Sequence, residues 1–298
     1  SNTGDRTIFS LIGYNAGHIE KLKLNNVVLD AIIPGTDQIH AGLIAYDNCG
    51  TIEGCEVSTR NTFQLDAHGG VFFGGIAYIS HNKTIENEKS YKITKPGISG
   101  CTTNISVQTI RGSRVVFGGI VGINEASEVK KSKSQVDVEN VEGVEGDITF
   151  GGLIGENKGK IEECKCETKL TINSAVSNLS SGSTFIGGLI GMNSSLVKNV
   201  KCSTTFKIDN SNGFFGGGLF GLHSGEATAI DLKLDVKDIK STGEIKFGVI
   251  AYEIFKENSN QYTSNVSQVY VHGKVNIKLN ESATKLRFTY LAARRDST

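Results

Sequence analysis

A block of glycine and aliphatic residues returns nine times along this chain of 298 residues, and no other feature constrains the fold as strongly. The clearest copies read GGIVGIN from Gly118, GGLIGEN from Gly151, GGLIGMN from Gly187 and GGLFGLH from Gly217. With the residue before the first aliphatic as the reference, the copies fall at Ser10, Gly42, Gly75, Gly119, Gly152, Gly188, Gly218, Gly248 and Thr289. Most intervals are 30–36 residues long, and the two longer ones, of 44 and 41 residues, predict insertions at about 80–100 and 253–264.

An asparagine-rich position lies five residues after each reference. It holds Asn15, Asp47, Ser80, Asn124, Asn157, Asn193, His223, Glu253 and Arg294. Glycine often comes two or three residues later, and because asparagine and glycine tolerate a positive φ angle, the pattern predicts a tight turn here. An apolar residue then opens a short segment of alternating apolar and polar residues, and a third alternating run closes the unit. Each unit is therefore predicted to be strand, turn, strand, loop and strand.

Repeats of this length and pattern favour a solenoid of parallel strands. Tetratricopeptide and ankyrin repeats have ~33 residues but need helical periodicity, and a propeller blade needs four strands and ~40–45 residues. The copies here alternate with a period of two and carry glycine inside the apolar block. We therefore expect an all-β fold, a right-handed parallel β-helix of about nine coils, with equivalent positions stacked at ~4.8 Å and the doubled glycine at a corner. The residues expected to carry the structural repeat are Gly118, Gly119, Asn124, Gly151, Gly152, Asn157, Gly187, Gly188, Asn193, Gly217 and Gly218.

The repeat covers essentially the whole chain, so residues 1–298 are predicted to form a single domain. One unit cannot bury its own apolar face, and neighbouring coils must share a core. An open coil would also leave unpaired strand edges. We therefore expect either flanking domains of the same chain or a cap formed by the degraded last copy, and we expect the chain to be a fragment of a larger protein.

The segment Gly151–Cys164, GGLIGENKGKIEEC, resembles the GLUG repeat. Proteins of that family include bacterial secreted and surface adhesin-like proteins and the non-catalytic regions of IgA-cleaving metallopeptidases. The resemblance extends over all nine copies and is strongest in the four that begin at Gly118, Gly151, Gly187 and Gly217. It implies a parallel β-helix and an extracellular role, and it carries over no catalytic residues.

The six cysteines and six histidines are the candidates for cross-links and metal ligands. In repeat register Cys55 falls beside Cys101, and Cys166 falls beside Cys202. Stacked Cα atoms ~4.8 Å apart can accept a disulfide, and buried free thiols are the alternative. The six histidines are distributed over different coils without metal-ligand spacing, so the sequence predicts no metal site and no cofactor.

The composition of the chain and its lack of catalytic motifs argue against several functions. With 31 basic and 31 acidic side chains there is no net charge to attract nucleic acid. No run of ~18 apolar residues exists, so no membrane insertion is expected. Acidic residues follow no shared column, and neither a G-x-S-x-G elbow nor a P-loop occurs, so no catalytic residues are assigned and the chain is not expected to be an enzyme.

The two insertions contain the candidate binding residues. The first offers Asn82, Lys83, Glu88, Tyr91 and Lys95, and the second offers Phe255, Asn260 and Tyr262. Exposed tyrosine and asparagine suit carbohydrate or protein contacts, although a tolerated surface insertion explains either segment equally well.

The predicted function is a non-catalytic extracellular stalk or adhesin-type module of a secreted or cell-surface bacterial protein. It would present loops to a host protein or glycan. One alternative is a carbohydrate-active β-helix enzyme, a polysaccharide lyase or hydrolase. Another is the substrate-positioning region of a modular surface metallopeptidase.

Overall fold

The chain folds into strands and turns that wind repeatedly through three sheets. The computed structural model describes residues 5–82, 96–143, 147–172, 184–208, 214–237, 244–254, 264–275 and 285–295. Within these ranges there is no helix, and all strand ladders are parallel. Successive strands along the chain belong to the first, second and third sheet in turn, so the strands stack as a β-solenoid. The predicted all-β solenoid of parallel strands is confirmed.

Two of the sheets have nine strands each, and the third has 16 strands of varying length. The first sheet contains Arg6–Phe9, Gln38–Gly42, Gly70–Gly74, Val115–Gly118, Ile148–Gly151, Thr184–Gly187, Phe214–Gly217, Glu244–Gly248 and Lys285–Thr289. The second contains Ile12–Asn15, Ala45–Asn48, Ala77–His81, Val121–Glu125, Ile154–Asn157, Ile190–Asn193, Phe220–His223, Ala251–Ile254 and Ala292–Arg295. The third contains His18–Glu20, Lys23–Val27, Ala31–Ile33, Thr51–Glu53, Glu56–Thr59, Phe63–Ala67, Gly97–Ser99, Thr102–Gly112, Glu128–Lys130, Lys133–Val138, Val141–Gly143, Ile161–Glu162, Lys165–Ile172, Leu196–Ile208, Glu226–Lys237 and Asn265–Val275.

The first glycine of each doubled pair lies at the end of a strand of the first sheet. These glycines pair with one another in register, for example Gly118 with Gly151 and Gly151 with Gly187. A Cβ atom at Gly118 would collide with the carbonyl oxygen of Val121, three residues further along the chain. The same collision with the carbonyl three residues on would occur at Gly42, Gly74, Gly151, Gly187 and Gly217. The sharp corner between the first and second sheets therefore requires glycine in these six turns, whereas Thr289 pairs with Gly248 at this position in the last copy.

The register corrects the repeat alignment by one residue in three copies. Gly42 pairs with Gly74, the first glycine of its pair, whereas the sequence alignment matched it to Gly75. In these three copies the asparagine-rich column is therefore occupied by Asn48, Ile254 and Arg295. The predictions of Asp47, Glu253 and Arg294 for that column are wrong. The physical reason is that these copies lack the second glycine: Leu43, Val249 and Tyr290 follow the corner residue, so a single residue in the sequence could be matched to either position of the pair.

The tight turn predicted at the asparagine column does not use a left-handed conformation of the asparagines: the Asn15 side chain accepts a hydrogen bond from the amide of Gly17, two residues further on. None of its described asparagines has a positive φ angle. They are buried at strand ends and form an asparagine ladder of side-chain amides instead: Asn124 Nδ2 donates to Asn157 Oδ1 at 2.8 Å, and Asn157 Nδ2 donates to Asn193 Oδ1 at 2.7 Å. Each amide thus satisfies its neighbour in the adjacent turn, which is the condition for burying a polar group at low cost.

Positive φ angles occur at a different corner, inside the third sheet. Eight residues that follow equivalent strand positions form this left-handed corner, with φ between 50° and 63°: Lys21, Gly54, Gly100, Lys131, Glu163, Asn199, Ala229 and Gln268. Only two of the eight are glycine. The sequence carries almost no signal for this corner, because the residues that occupy it differ from turn to turn.

The core consists of aligned apolar columns. Phe73, Phe117 and Phe150 precede the corner glycines, and their rings stack with centroid distances of 4.9 and 5.0 Å. Beyond the corner, Ile120, Leu153 and other fully buried aliphatic residues continue the core. Burying such side chains contributes about 1.5–3 kcal/mol each, but only because the turns above and below provide the other half of the contact.

Candidate functional site

Both predicted insertions leave the solenoid at the corner between the second and third sheets. The first lies between strands Ala77–His81 and Gly97–Ser99, and the second lies between Ala251–Ile254 and Asn265–Val275. Asn82 is exposed where the first insertion begins. The other candidate binding residues lie outside the described residues: Lys83, Glu88, Tyr91, Lys95, Phe255, Asn260 and Tyr262.

An exposed column of lysines crosses the third sheet. Lys133 pairs with Lys165, and Lys165 pairs with Lys201, so the three side chains project from directly adjacent strands. We call these three residues the lysine column. The next two positions of the same column are Asp231 and Tyr270, and Tyr270 is 71% exposed. Within the described part of the chain, no ion pair forms at any member of the lysine column.

A shallow groove runs beside the lysine column. Its volume is about 280 Å³, and its lining includes Lys233 and His272 in addition to the lysine column. His272 Nδ1 lies 3.5 Å from Asp231 Oδ1 at one end of the groove, and Glu167 contributes a second carboxylate. The groove thus has more cationic than anionic side chains although the whole chain has zero formal charge.

The lysine column contrasts with several lysines in or beside the same sheet that have carboxylate partners. Lys23 Nζ lies 3.0 Å from Glu56 Oε1, and Lys160 Nζ lies 2.5 Å from Glu162 Oε2. The pKa of Lys160 is raised, chiefly by its hydrogen bonds to Glu162 and to Glu128. Sequence reasoning missed the lysine column, since its members stand 32 and 36 residues apart and look unrelated until the turns are stacked.

The cysteines lie inside the solenoid. Cys166 pairs in register with Cys202, and the amide of Thr102 donates to the Cys55 carbonyl, which puts Cys101 beside Cys55. All six cysteines are buried, and no disulfide joins any two of them. Burial raises the pKa of Cys101 to about 12 and that of Cys164 to about 11, so these thiols stay protonated and act as small apolar side chains.

An acid–histidine–thiol group lies on the outer face of the second sheet. His81 Nε2 is 3.1 Å from Asp47 Oδ1, and His81 Nδ1 is 3.0 Å from Glu125 Oε2. Cys49 Sγ is 3.7 Å from the same Asp47 oxygen. The sequence analysis predicted that no histidine and cysteine converge. The signal it overlooked is an interval of one turn, because residues 49 and 81 are 32 positions apart and therefore adjacent in the stack.

A buried aromatic group fills the outer corner between the first and second sheets at the second and third turns. The His40 ring stacks on Phe72 at 4.5 Å and meets Tyr78 edge-on at 4.9 Å, and the Arg114 guanidinium lies 5.5 Å from the Phe72 centroid. Burial, and secondarily the charge of Arg6, lowers the pKa of His40 to about 4. With its rings buried, this group supports the fold and offers no open binding surface.

Comparison of the chain with protein-family models, with curated proteins and with solved structures finds no match. Among the described residues, no helix is long and apolar enough to cross a membrane.

Proposed function

We propose that the chain is a non-catalytic binding module of a secreted or cell-surface bacterial protein and that it binds an acidic glycan of a host. The single observation that carries this proposal is the lysine column, in which three exposed cations stack on adjacent strands without acidic partners in the described ranges. Like charges on neighbouring strands reduce the stability of a sheet. A polyanionic ligand lying along the column would replace this repulsion by attraction.

The surroundings of the column suit a sugar chain. Tyr270 stands at the end of the same column, where an exposed aromatic face can pack against the apolar face of a sugar ring. Ser203 and His272 add hydroxyl and imidazole groups along the groove. Strands spaced ~4.8 Å apart present these groups as a straight row, which matches an extended ligand better than a compact one.

The insertions would extend the contact surface. Both leave the same corner of the solenoid, in the third and eighth strands of the second sheet. Five steps of ~4.8 Å separate them by ~24 Å along the axis. Loops at this spacing can contact host protein or glycan on one side of the rod, which is the role that we propose for them.

We also propose a right-handed solenoid of nine coils that forms one domain of a larger protein with GLUG-type repeats. Nine strands in each of the first two sheets support the coil count. The hand proposed is the one that nearly all connections between parallel strands of a sheet adopt. The motif from Gly151 to Cys164 supports the family proposal.

A glycan array tests the function. We expect binding to sulfated or uronic-acid glycans, with neutral glycans near background, and we expect affinity to fall steeply with ionic strength. A triple variant with Lys133→Gln, Lys165→Gln and Lys201→Gln should lose at least ten-fold in affinity, because three unpaired cations are removed from one row.

The matched control removes the same charge elsewhere on the sheet. A variant with Lys23→Gln, Lys130→Gln and Lys160→Gln loses three lysines that have carboxylate partners, and its glycan affinity should stay within about two-fold of wild type. Equal losses in both variants would show that only net charge matters and would contradict the proposal. Release of reducing sugar from the bound glycan would instead favour the carbohydrate-active enzyme.

A further inference from the structure

Three side chains with metal-ligating chemistry meet on the outer face of the second sheet. Asp47 and Cys49 are two residues apart at the end of strand Ala45–Asn48, and His81 ends the neighbouring strand Ala77–His81. Their ligand atoms all lie within 4.8 Å of one another. We call these three residues the Asp47–Cys49–His81 cluster. It combines a carboxylate, a thiol and an imidazole, which are the three side-chain types that zinc binds in proteins.

The distances match those around a tetrahedral ion. Zinc binds nitrogen and oxygen at about 2.0 Å and sulfur at about 2.3 Å, so tetrahedral angles separate oxygen from nitrogen by about 3.3 Å and sulfur from oxygen by about 3.5 Å. The observed separations are 3.1 Å between Asp47 Oδ1 and His81 Nε2 and 3.7 Å between Cys49 Sγ and Asp47 Oδ1. These two separations are each within about 0.2 Å of the tetrahedral values, and the Cys49 Sγ atom lies within 4.8 Å of the His81 ligand nitrogen.

A second carboxylate orients the imidazole. Glu125 Oε2 lies 3.0 Å from His81 Nδ1, so a ring that binds an ion through Nε2 can donate its Nδ1 proton to this carboxylate. Metal-binding histidines commonly donate their other nitrogen to a carboxylate in this way, which fixes the tautomer and the ring plane. The His81 side chain is only 11% exposed, and Cys49 is buried. Little side-chain entropy therefore remains to be lost when an ion binds.

We propose that the Asp47–Cys49–His81 cluster binds a divalent transition-metal ion, with Zn²⁺ as the best fit, and that the ion ties two successive turns of the solenoid together. Thiolate and imidazole ligands favour zinc over magnesium or calcium. On binding, the Cys49 thiol releases its proton to solvent, and the thiolate and the Asp47 carboxylate together balance the charge of the ion. Three protein ligands leave a fourth position for water or a donor atom of a ligand.

Metal titration of the full chain, kept reduced and first stripped with chelator, tests the site. We expect one Zn²⁺ per chain, a higher melting temperature in excess Zn²⁺, and a thiolate-to-metal charge-transfer band with Co²⁺ as the probe. Cys49→Ser and His81→Gln should each weaken binding at least 100-fold and abolish the thermal shift. Glu125→Gln, which changes only the orienting carboxylate, should weaken binding 10–100-fold.

Matched controls separate the cluster from the other thiols and histidines. Cys55→Ala removes a buried cysteine of the same turn, and His18→Gln removes an exposed histidine, so both variants should bind Zn²⁺ as wild type does. The proposal is overturned if wild type binds no stoichiometric metal, if Cys49→Ser retains it, or if Cys55→Ala loses it while remaining folded. If Cys49→Ser does not fold, unchanged affinity in Glu125→Gln, where the side chain is 45% exposed, overturns it instead.

Discussion

In this solenoid, buried polar side chains form hydrogen bonds with their equivalents in the adjacent turns. The asparagine ladder begins with Asn15 Nδ2 donating to Asn48 Oδ1 at 2.7 Å and reaches His223, whose Nδ1 lies 3.1 Å from Asn193 Nδ2. His223 is fully buried, and burial lowers its pKa to about 4 from an ordinary value of 6.5. The ring therefore stays neutral in the native state at pH values where the unfolded chain already binds a proton.

This difference predicts a loss of stability in mild acid. Between pH 6.5 and 4 the unfolded state binds more protons than the native state at position 223, so the free energy of unfolding falls as the pH is lowered, by about 3 kcal/mol in total for this group. His223→Asn would keep an amide in the ladder and remove the titrating group. We expect the variant to lose a corresponding part of the pH dependence in urea unfolding curves measured from pH 7 to 4.

His18→Asn is the control, because the His18 side chain is 52% exposed. It should retain the wild-type pH dependence. Part of the pH dependence of the free energy of unfolding should remain in His223→Asn, because the pKa of His40 is also lowered to about 4. If His223→Asn showed the same change in the free energy of unfolding with pH as wild type, the acid sensitivity could not be assigned to the ladder.

At the scale of a strand, the left-handed corner is the feature that the sequence predicts least well. Strand Leu196–Ile208 passes through Asn199 with a φ angle of 55°, and the pairing with the next strand skips from Lys198 to Val200. The chain bends within the third sheet at this corner, although none of the eight corner residues is proline and only two are glycine. A non-glycine residue in this conformation costs about 1–2 kcal/mol, which the hydrogen bonds to the adjacent turns must offset.

Glycine at this corner should therefore stabilise the protein. Lys131 is exposed and has a φ angle of 50°. Lys131→Gly relieves the left-handed strain and adds about 0.5–1 kcal/mol of chain entropy to the unfolded state, so we expect a net gain of about 0.5–1 kcal/mol in urea denaturation. Lys233→Gly, at an exposed lysine within strand Glu226–Lys237, should lose about 0.5–1 kcal/mol. Equal losses in both variants would show that the corner carries no strain.

At the scale of the whole molecule, the solenoid is a one-dimensional stack. Each strand pairs only with its equivalents in the turns before and after, as in the sequence of strands through the first sheet. Stability in such a stack is close to a sum of terms from each turn and its neighbours. The two ends differ from the middle, since Leu11 is 59% exposed in the first turn whereas the equivalent Leu153 is fully buried.

The stack predicts a gradient of local stability. Hydrogen exchange followed by mass spectrometry should find the slowest amides in the central turns, around strands Ile154–Asn157 and Ile190–Asn193, with protection decreasing toward both ends. The physical reason is that a terminal turn has one neighbour to hold it and a central turn has two. Uniform protection from the first turn to the last would contradict local opening and indicate one global unfolding step.

The amino-acid sequence by itself determined that the fold is an all-β solenoid of parallel strands. The spacing of glycine and aliphatic blocks, such as those at Gly151 and Gly187, leaves no helical or propeller alternative, because only stacked strands bury one apolar face per turn. It also predicted which cysteines stand side by side.

Only the tertiary structure decided the exact register, the place of the left-handed corner and the composition of the surface sites. In the sequence, the single glycine at Gly42 fits either position of the doubled pair, and its pairing with Gly74 and the Ala45 carbonyl beside it assign it to the first position. The lysine column and the Asp47–Cys49–His81 cluster each join residues from different turns. The three lysines, and His81 relative to Asp47 and Cys49, are about a full turn apart in sequence, so the stacking of turns at ~4.8 Å brings these side chains together.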